Sequence, residues 1–288
     1  MNGLPLNEII HGDCLEVMRQ FPDKSIDMIL CDLPYGVTKC KWDTIIPFEP
    51  LWEQYERIIK DNRAIVLFAT QPFTTDLINS NRKLYRYLWY WKKERGTGIS
   101  IAKFQPMRII EDILVFGRGS VQYYPIMRKV KPHHHVLPLP RDRKDSAQHM
   151  VSKSVDDKGR RIYRRYEERY PVNLLEFPRD NTSEGKSLHP TQKPVELFEY
   201  LIKTYTLPGE VVLDNCIGSG TTAIACINTG RNFIGIEIEE KYVKMARGRI
   251  ENHKKLDKMR LFPISELETG KLQYKGLFEP EDESYGEG

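Results

Sequence analysis

Residues 211–223 read Val211-Val212-Leu213-Asp214-Asn215-Cys216-Ile217-Gly218-Ser219-Gly220-Thr221-Thr222-Ala223. The first three residues are apolar and two are β-branched, the mark of a short buried strand. A helical pattern runs from Thr221 to Thr229, and Gly230 stands where a left-handed C-cap belongs. Between strand and helix, Gly218-x-Gly220-x-x-Ala223 lets the backbone turn tightly and come close to a ligand. The next apolar run, Phe233 to Ile238, is another strand, and Glu237 near its end lies 17 residues past Gly220. A carboxylate there can accept two hydrogen bonds from a ribose diol. The pairing fits any adenosine-bearing cofactor.

Working outward, Val195 to Tyr205 carries apolar residues on one helical face, and Tyr242 to Asn252 reads as a further helix. Little follows these elements, so the rest of the sheet must come from residues before 120. Strands are expected there at Glu8–His11, Ser25–Cys31, Ala64–Phe68, Leu84–Trp91 and Ile113–Phe116, with helices at Leu15–Phe21 and Pro47–Lys60. Strands alternating with helices at both ends imply an α/β class: a doubly wound, mostly parallel, Rossmann-like sheet. A nicotinamide-binding half usually opens its own domain with the glycine loop. Here the loop comes late, an awkward order for a dehydrogenase.

Composition narrows the class. Of 288 residues, 40% are hydrophobic and 29% charged, with no apolar run long enough for a membrane helix. The start carries no secretory pattern. Five cysteines include no C-x-x-C pair, so neither a disulfide framework nor a thiolate metal site is expected. A reducing cytoplasm fits best. Charge is segregated. Residues 82–108 hold eight bases and one acid, and residues 118–186 hold sixteen bases and nine acids. Such a distribution suits one face turned to a polyanion. Residues 118–186 also lose strand and helix periodicity, so a basic, loop-rich insert is expected. His133-His134-His135 alternates sides in extended backbone, and no metal site is assigned. Arg160 to Tyr166 interleaves bases with aromatics, which suits phosphate contact and base stacking or else a solvated helix face.

A second turn carries chemistry. Asp32-Leu33-Pro34-Tyr35-Gly36 follows directly on the strand ending at Cys31. Ligands of open parallel sheets bind at the carboxyl ends of strands. Pro34 pushes Leu33 toward an extended backbone, so its carbonyl can face the cleft. Asp32 adds a carboxylate acceptor, and Tyr35 a flat surface with a polar tip. Together they offer two acceptors for an exocyclic amino group and a face for its ring.

This constellation resembles the beta group of DNA amino-methyltransferases, whose signature is Asp/Asn/Ser-Pro-Pro-Tyr/Phe, with the glycine loop last. His189-Pro190-Thr191-Gln192-Lys193-Pro194 resembles the family's HPTQKP motif. Ala69-Thr70-Gln71-Pro72-Phe73 and Gly12-Asp13-x-x-Glu16 match in place and order. The DLPYG variant followed by Lys41-Trp42-Asp43 is similar to phage and prophage members. The resemblance covers nearly the whole chain, least of all the basic insert. It departs from the pattern at Leu33, where Pro is usual, and at Cys216, where Phe is common.

The resemblance implies a Rossmann-like methyltransferase fold with S-adenosylmethionine as cofactor and double-stranded DNA as substrate. Asp32, Leu33, Pro34 and Tyr35 would be catalytic, the first two accepting hydrogen bonds from the target amino group and Tyr35 stacking on the flipped base. Asp214, Cys216, Gly218, Ser219, Gly220 and Thr221 would wrap the cofactor. Glu237 would hold its ribose and Asp13 its adenine amino group; Thr191 and Lys193 would lie near its carboxylate end, and His189 would be a further cofactor-binding residue. Residues 1–117 would form a catalytic half, 118–186 the target-recognition insert, 187–262 the cofactor half, and 263–288 an acidic extension. A homodimer, a cognate restriction endonuclease and nucleoid association belong to the same expectation; a membrane partner does not. Adenine N6 is the expected target, because Asp heads the tetrapeptide. The alternatives are cytosine N4, an RNA or small-molecule substrate, and a silent DNA-binding relative. Methylation at cytosine C5 is excluded, since no cysteine follows a proline.

Overall fold

The computed structural model describes residues 3–36, 43–136, 163–178 and 193–260. The first part of the chain alternates strands and helices: β1 (Glu8–His11), α1 (Cys14–Met18), β2 (Ile26–Asp32), α2 (Phe48–Ile58), β3 (Ile59–Ala69) and α3 (Phe73–Ser80). A long hairpin follows, β4 (Tyr85–Thr97) and β5 (Arg108–Phe116), then β6 (Arg128–Val136), β7 (Tyr163–Arg169) and β8 (Leu174–Glu176). The last part holds α4 (Val195–Tyr205), β9 (Val211–Asp214), α5 (Thr221–Thr229), β10 (Asn232–Glu237) and α6 (Glu240–Arg260).

Eight strands form one sheet in the order β1-β10-β9-β2-β3-β5-β4-β8. All neighbours pair in parallel except β5, which opposes both β3 and β4. The sheet is buried on both sides, so its central strands carry unbroken apolar runs, Met28–Cys31 in β2, Ala64–Ala69 in β3 and Val211–Leu213 in β9, rather than an alternation. In β2, Met28 and Leu30 point to one layer and Ile29 and Cys31 to the other. One layer packs α4, α5 and α6 through residues such as Phe198, Leu201, Ile224 and Val243. The opposite layer packs α1, α2 and α3 through Met18, Leu51, Tyr55 and Phe73. Truncating a fully buried side chain such as Leu30 would cost about 2–5 kcal/mol.

Strand β2 lies between β9 and β3, and the chain leaves these strands in opposite directions. From β9 it runs through α5 to β10; from β2 it runs through α2 to β3. The loops after β9 and β2 therefore part and open a crevice at the carboxyl end of the sheet. At the opposite end, the buried Asp27 carboxylate accepts from Val211 N at 3.0 Å and pairs with Lys60 Nζ at 2.7 Å and Arg63 at 3.4 Å. Arg63 also holds Glu210. This ionic clamp ties β2, β3 and β9 together, and removing one partner would leave a buried charge uncompensated.

The expected doubly wound, mostly parallel sheet is present, and most elements fall within a few residues of their expected limits. The segment 118–186 differs from the expectation. Instead of loops alone it holds an antiparallel pair, β6 with β7, and the strand β8. Strand β8 adds to the edge of the main sheet, with Leu175 beside Trp91. The histidine triplet lies in β6, and residues 163–166 of the basic aromatic run lie in β7, so that part is a strand rather than a helix face. Helix α3 carried no expectation. The acidic tail and residues 37–42 lie outside the described residues.

Candidate active site

The crevice holds a cavity of about 750 Å³, within the range that drug-sized ligands and cofactors occupy. Its walls come from the loops after β9, β2, β10 and β1, joined by residues of β4 and β5.

The glycine loop forms the first wall. Gly218 and Gly220 have φ of +51° and +82°, where a side chain would be strained. A Cβ on Gly220 would also come within 3.1 Å of the Ala246 methyl. The loop is braced from below. Asp214 is buried, and its carboxylate accepts from Cys216 N at 3.1 Å and from the Thr222 hydroxyl. Burial pushes this carboxyl up to about 7, although those donors oppose the shift. Tyr55 of α2 donates to Asn215 at 2.5 Å, and Arg249 of α6 donates to the Ser219 carbonyl and the Thr221 hydroxyl. Three helices thus hold one turn.

The second wall is acidic. Glu237 accepts from Gly218 N and Glu239 N, each at 2.9 Å, and burial raises its pKa. His11 of β1 is in register with Glu237, and Gly12 N donates to its carbonyl. The pairing delivers Asp13 to the same rim. One oxygen of Asp13 caps α1 through Leu15 N at 2.8 Å and Glu16 N at 3.3 Å. An early and a late stretch of the chain therefore build this wall together, with Asp13 and Glu237 lining one cavity.

The turn after β2 is the third wall. Leu33 is buried in the α1–α2–α3 layer, an anchor its aliphatic side chain provides in place of a second proline. Asp32 is half-buried; its Oδ1 accepts from the Tyr35 hydroxyl and its Oδ2 from Lys193 Nζ, both at 2.5 Å. The Tyr35 ring leans on Phe73 at 5.2 Å, and burial followed by the Asp32 charge raises its phenol well above the usual value. Gly36 N donates to Asp43 at 2.8 Å, which closes the turn.

Lys193 stands against Asp32 rather than against the glycine loop. Burial alone would lower its pKa, but Asp32 and Glu111 outweigh that and raise it. Its ammonium lies 3.4 Å from Glu111 Oε2, an ion-pair contact without a hydrogen bond, and 5.2 Å from the Phe68 ring centre. Lys93 Nζ takes the other Glu111 oxygen at 2.6 Å. Burial works against ionised Glu111, yet the two lysines hold its pKa below the ordinary value. Two carboxylates and two ammoniums thus alternate along one chain of contacts. Sequence reading did not find Lys93, Glu111 or Asp43 as site residues. The period-two burial of Trp89, Trp91 and Lys93 was the available signal for Lys93.

Cys216 lies with Cys14 and Cys31 where the resemblance would put a phenylalanine. Cys14 is raised by its hydrogen bond with Cys216 and then by burial; burial pushes Cys31 up to about 12. Cys216 is raised too, with burial and Cys31 outweighing the hydrogen bond from Cys14. All three remain neutral thiols, so they serve as packing here. His189 and Thr191 lie outside the described residues.

A family model described as DNA methylase, of the N6/N4 amino type, matches residues 26–248. The chain belongs to the DNA methylase family. Among curated relatives of this methylase, the DNA adenine methyltransferase YhdJ of Escherichia coli K12 is 29% identical over 298 residues, covering 94% of this chain and 91% of the relative. The Type II methyltransferase M1.MboII of Moraxella bovis is 26% identical, covering 84% and 96%. Among solved structures, the M1.HpyAVI–SAM complex has a TM-score of 0.55 at 22% identity, covering 84% of this chain and 98% of that one. The cytosine-N4-specific PvuII DNA methyltransferase has a TM-score of 0.56 at 15% identity, covering 83% and 84%. The methylase fold is common to both. Among the described residues, no helix is long and apolar enough to cross a membrane, and no group of His, Cys, Asp or Glu could hold a metal ion.

Proposed function

We propose that this methylase transfers a methyl group from S-adenosylmethionine to adenine N6 in duplex DNA. The observation that carries the reading is the meeting of the Asp32–Tyr35 turn and the Gly218–Glu237 wall in one 750 Å³ cavity. The residues fit the cofactor. Two left-handed glycines leave backbone room, and Glu237 and Asp13 present carboxylates at one rim, suited to the ribose and the adenine amino group. Cys216, Ser219 and Thr221 line the same cavity, while Asp214 braces the loop from beneath.

S-adenosylmethionine supplies a sulfonium methyl, and every other requirement falls on the protein. An aromatic amine is a poor nucleophile because its lone pair is delocalised into the ring. Asp32 and the Leu33 carbonyl accept hydrogen bonds from its two N–H groups and favour the pyramidal form, while Tyr35 stacks on the ring. The incoming amino group must share Asp32 with Tyr35 and Lys193, so Lys193 acts as the residue that orients Asp32. Proximity and alignment do the rest. Since the base cannot reach the cavity from within the duplex, it must be extruded.

Adenine is favoured over cytosine by Asp at the head of the tetrapeptide and by the likeness to YhdJ across 94% of the chain. Mass spectrometry of digested product DNA tests it: N6-methyladenine is expected, and N4-methylcytosine alone would refute it. We assign residues 118–186 to target recognition. A restriction endonuclease acting on the same site is the partner suggested by the type II name of the Moraxella relative. Digestion of unmethylated host DNA by that endonuclease, blocked by prior methylation, is the corresponding test.

A further inference from the structure

The β4–β5 hairpin carries its most exposed apolar side chains at its tip. Strand pairing ends where Thr97 meets Arg108, and the ten residues between them project beyond the sheet. Phe104 is 87% exposed and Ile99 77%, with Met107 and Ile109 also exposed. Phe104 is the most exposed of the large hydrophobic side chains among the described residues. From Arg95 to Arg108 the sequence holds three bases, the third being Lys103, and no acid. All three are exposed. The foot of the tip belongs to the cavity: Thr97 and Arg108 line it together with Asp32, Tyr35 and Glu111.

A cluster of exposed apolar side chains beside an active-site mouth marks a surface that a partner covers. The cationic flanks choose the occupant. They match a polyanion whose interior is a stack of flat apolar rings, and the adjoining cavity takes one ring out of that stack. We propose that the hairpin tip is a wedge: Phe104, supported by Ile99, enters the base stack beside the target and occupies the space the extruded base leaves. Arg95, Lys103 and Arg108 contact the flanking phosphates. Apolar wedges are a general means of unstacking a duplex. The step is non-covalent: stacking between neighbouring bases is lost and stacking on Phe104 replaces it. The inference rests on the DNA methylation reading and adds the device that stabilises the open duplex.

The test uses the full chain and a duplex carrying its methylation site, mapped beforehand by sequencing of methylated product. Two duplexes are compared, one fully paired and one with an abasic position opposite the target base, where extrusion has less pairing to overcome. Phe104→Ala should lower the methylation rate on the paired duplex by about tenfold or more, since extrusion is then less supported. On the abasic-opposite duplex the variant should come within about threefold of wild type. Phe104→Trp should restore the paired-duplex rate. With 2-aminopurine at the target, the fluorescence rise on binding should shrink in Phe104→Ala and return in Phe104→Trp.

Equal loss on both duplexes would overturn the wedge, as would unchanged rates on both. A fall in melting temperature for Phe104→Ala, or a change in its sedimentation, would instead make Phe104 a fold or self-association contact. If wild type methylates neither duplex but modifies RNA, the DNA reading itself fails, separately from the wedge.

Discussion

At the residue scale, the site separates chemistry from binding, and two substitutions should show the separation. Asp32 is the proposed acceptor of the amino group, and its oxygens bond Tyr35 and Lys193 rather than the glycine loop. Asp32→Ala should lower kcat by about a hundredfold or more while leaving S-adenosylmethionine affinity near normal, by analogy with the loss of one polar transition-state contact. Steady-state methylation of DNA and calorimetry with the cofactor read the two effects. Glu237→Ala should act in the opposite sense. It removes the proposed ribose acceptor and also releases Gly218 N and Glu239 N. Affinity should weaken by about 1.5–3 kcal/mol, the range for a hydrogen bond to a charged group. Asp214 provides a pH test. Its folded pKa, about 7, lies above its ordinary 3.8, so the native state retains a proton that the unfolded chain gives up. Stability from this group is full below about pH 4 and is lost as pH rises through about 7. Glu237, also raised, adds to the same slope, while Glu111, lowered, contributes stability that is lost only on acidification below its ordinary 4.5. Asp214→Asn should therefore flatten the decline in melting temperature between pH 5 and 8. An unchanged slope would mean that Asp214 is ionised throughout.

At the element scale, the proposed recognition segment, residues 118–186, can be divided more finely than by sequence alone. Strand β8 pairs with β4 and buries Leu175 in the core, and Tyr124 N donates to Thr204 O, so both ends of the segment belong to the scaffold. Exchanging only 128–169, from β6 through β7, for the matching stretch of a related methylase should change the methylated sequence and leave cofactor affinity intact. Retention of the original sequence would move recognition to the β4–β5 hairpin. Affinity of either form should fall steeply with salt, because phosphate contacts release counterions. The same division explains what could be read in advance. The glycine turn, the Asp32–Tyr35 turn and the strands leading to them announce themselves through runs of apolar residues and backbone-demanding glycines. Strand β8 does not, since three residues with one buried side chain carry no period. Nor does the Lys93–Glu111–Lys193 chain, because charged residues ordinarily signal a surface, and here only mutual neutralisation allows them inside.

At the scale of the whole molecule, the sheet order has a consequence for how the chain is made. The central strand β2 ends at Asp32, but its neighbour β9 begins only at Val211. At about 5–20 residues per second, the ribosome takes about ten to forty seconds to cover that interval. Throughout it, the emerged β2 offers one open edge of apolar residues, Met28 to Cys31, with only β3 to pair it. Strand β1 waits longer still for β10. Chains stalled with Tyr205 just emerged should therefore be cut near β2 by added protease and bind holdase chaperones. Chains stalled after α6 has emerged should resist both. Equal resistance at the two stall points would mean that the early strands find a temporary partner. Otherwise the nascent enzyme depends on its last third to protect its middle, and a premature stop after α4 yields a sticky fragment rather than a weak methylase.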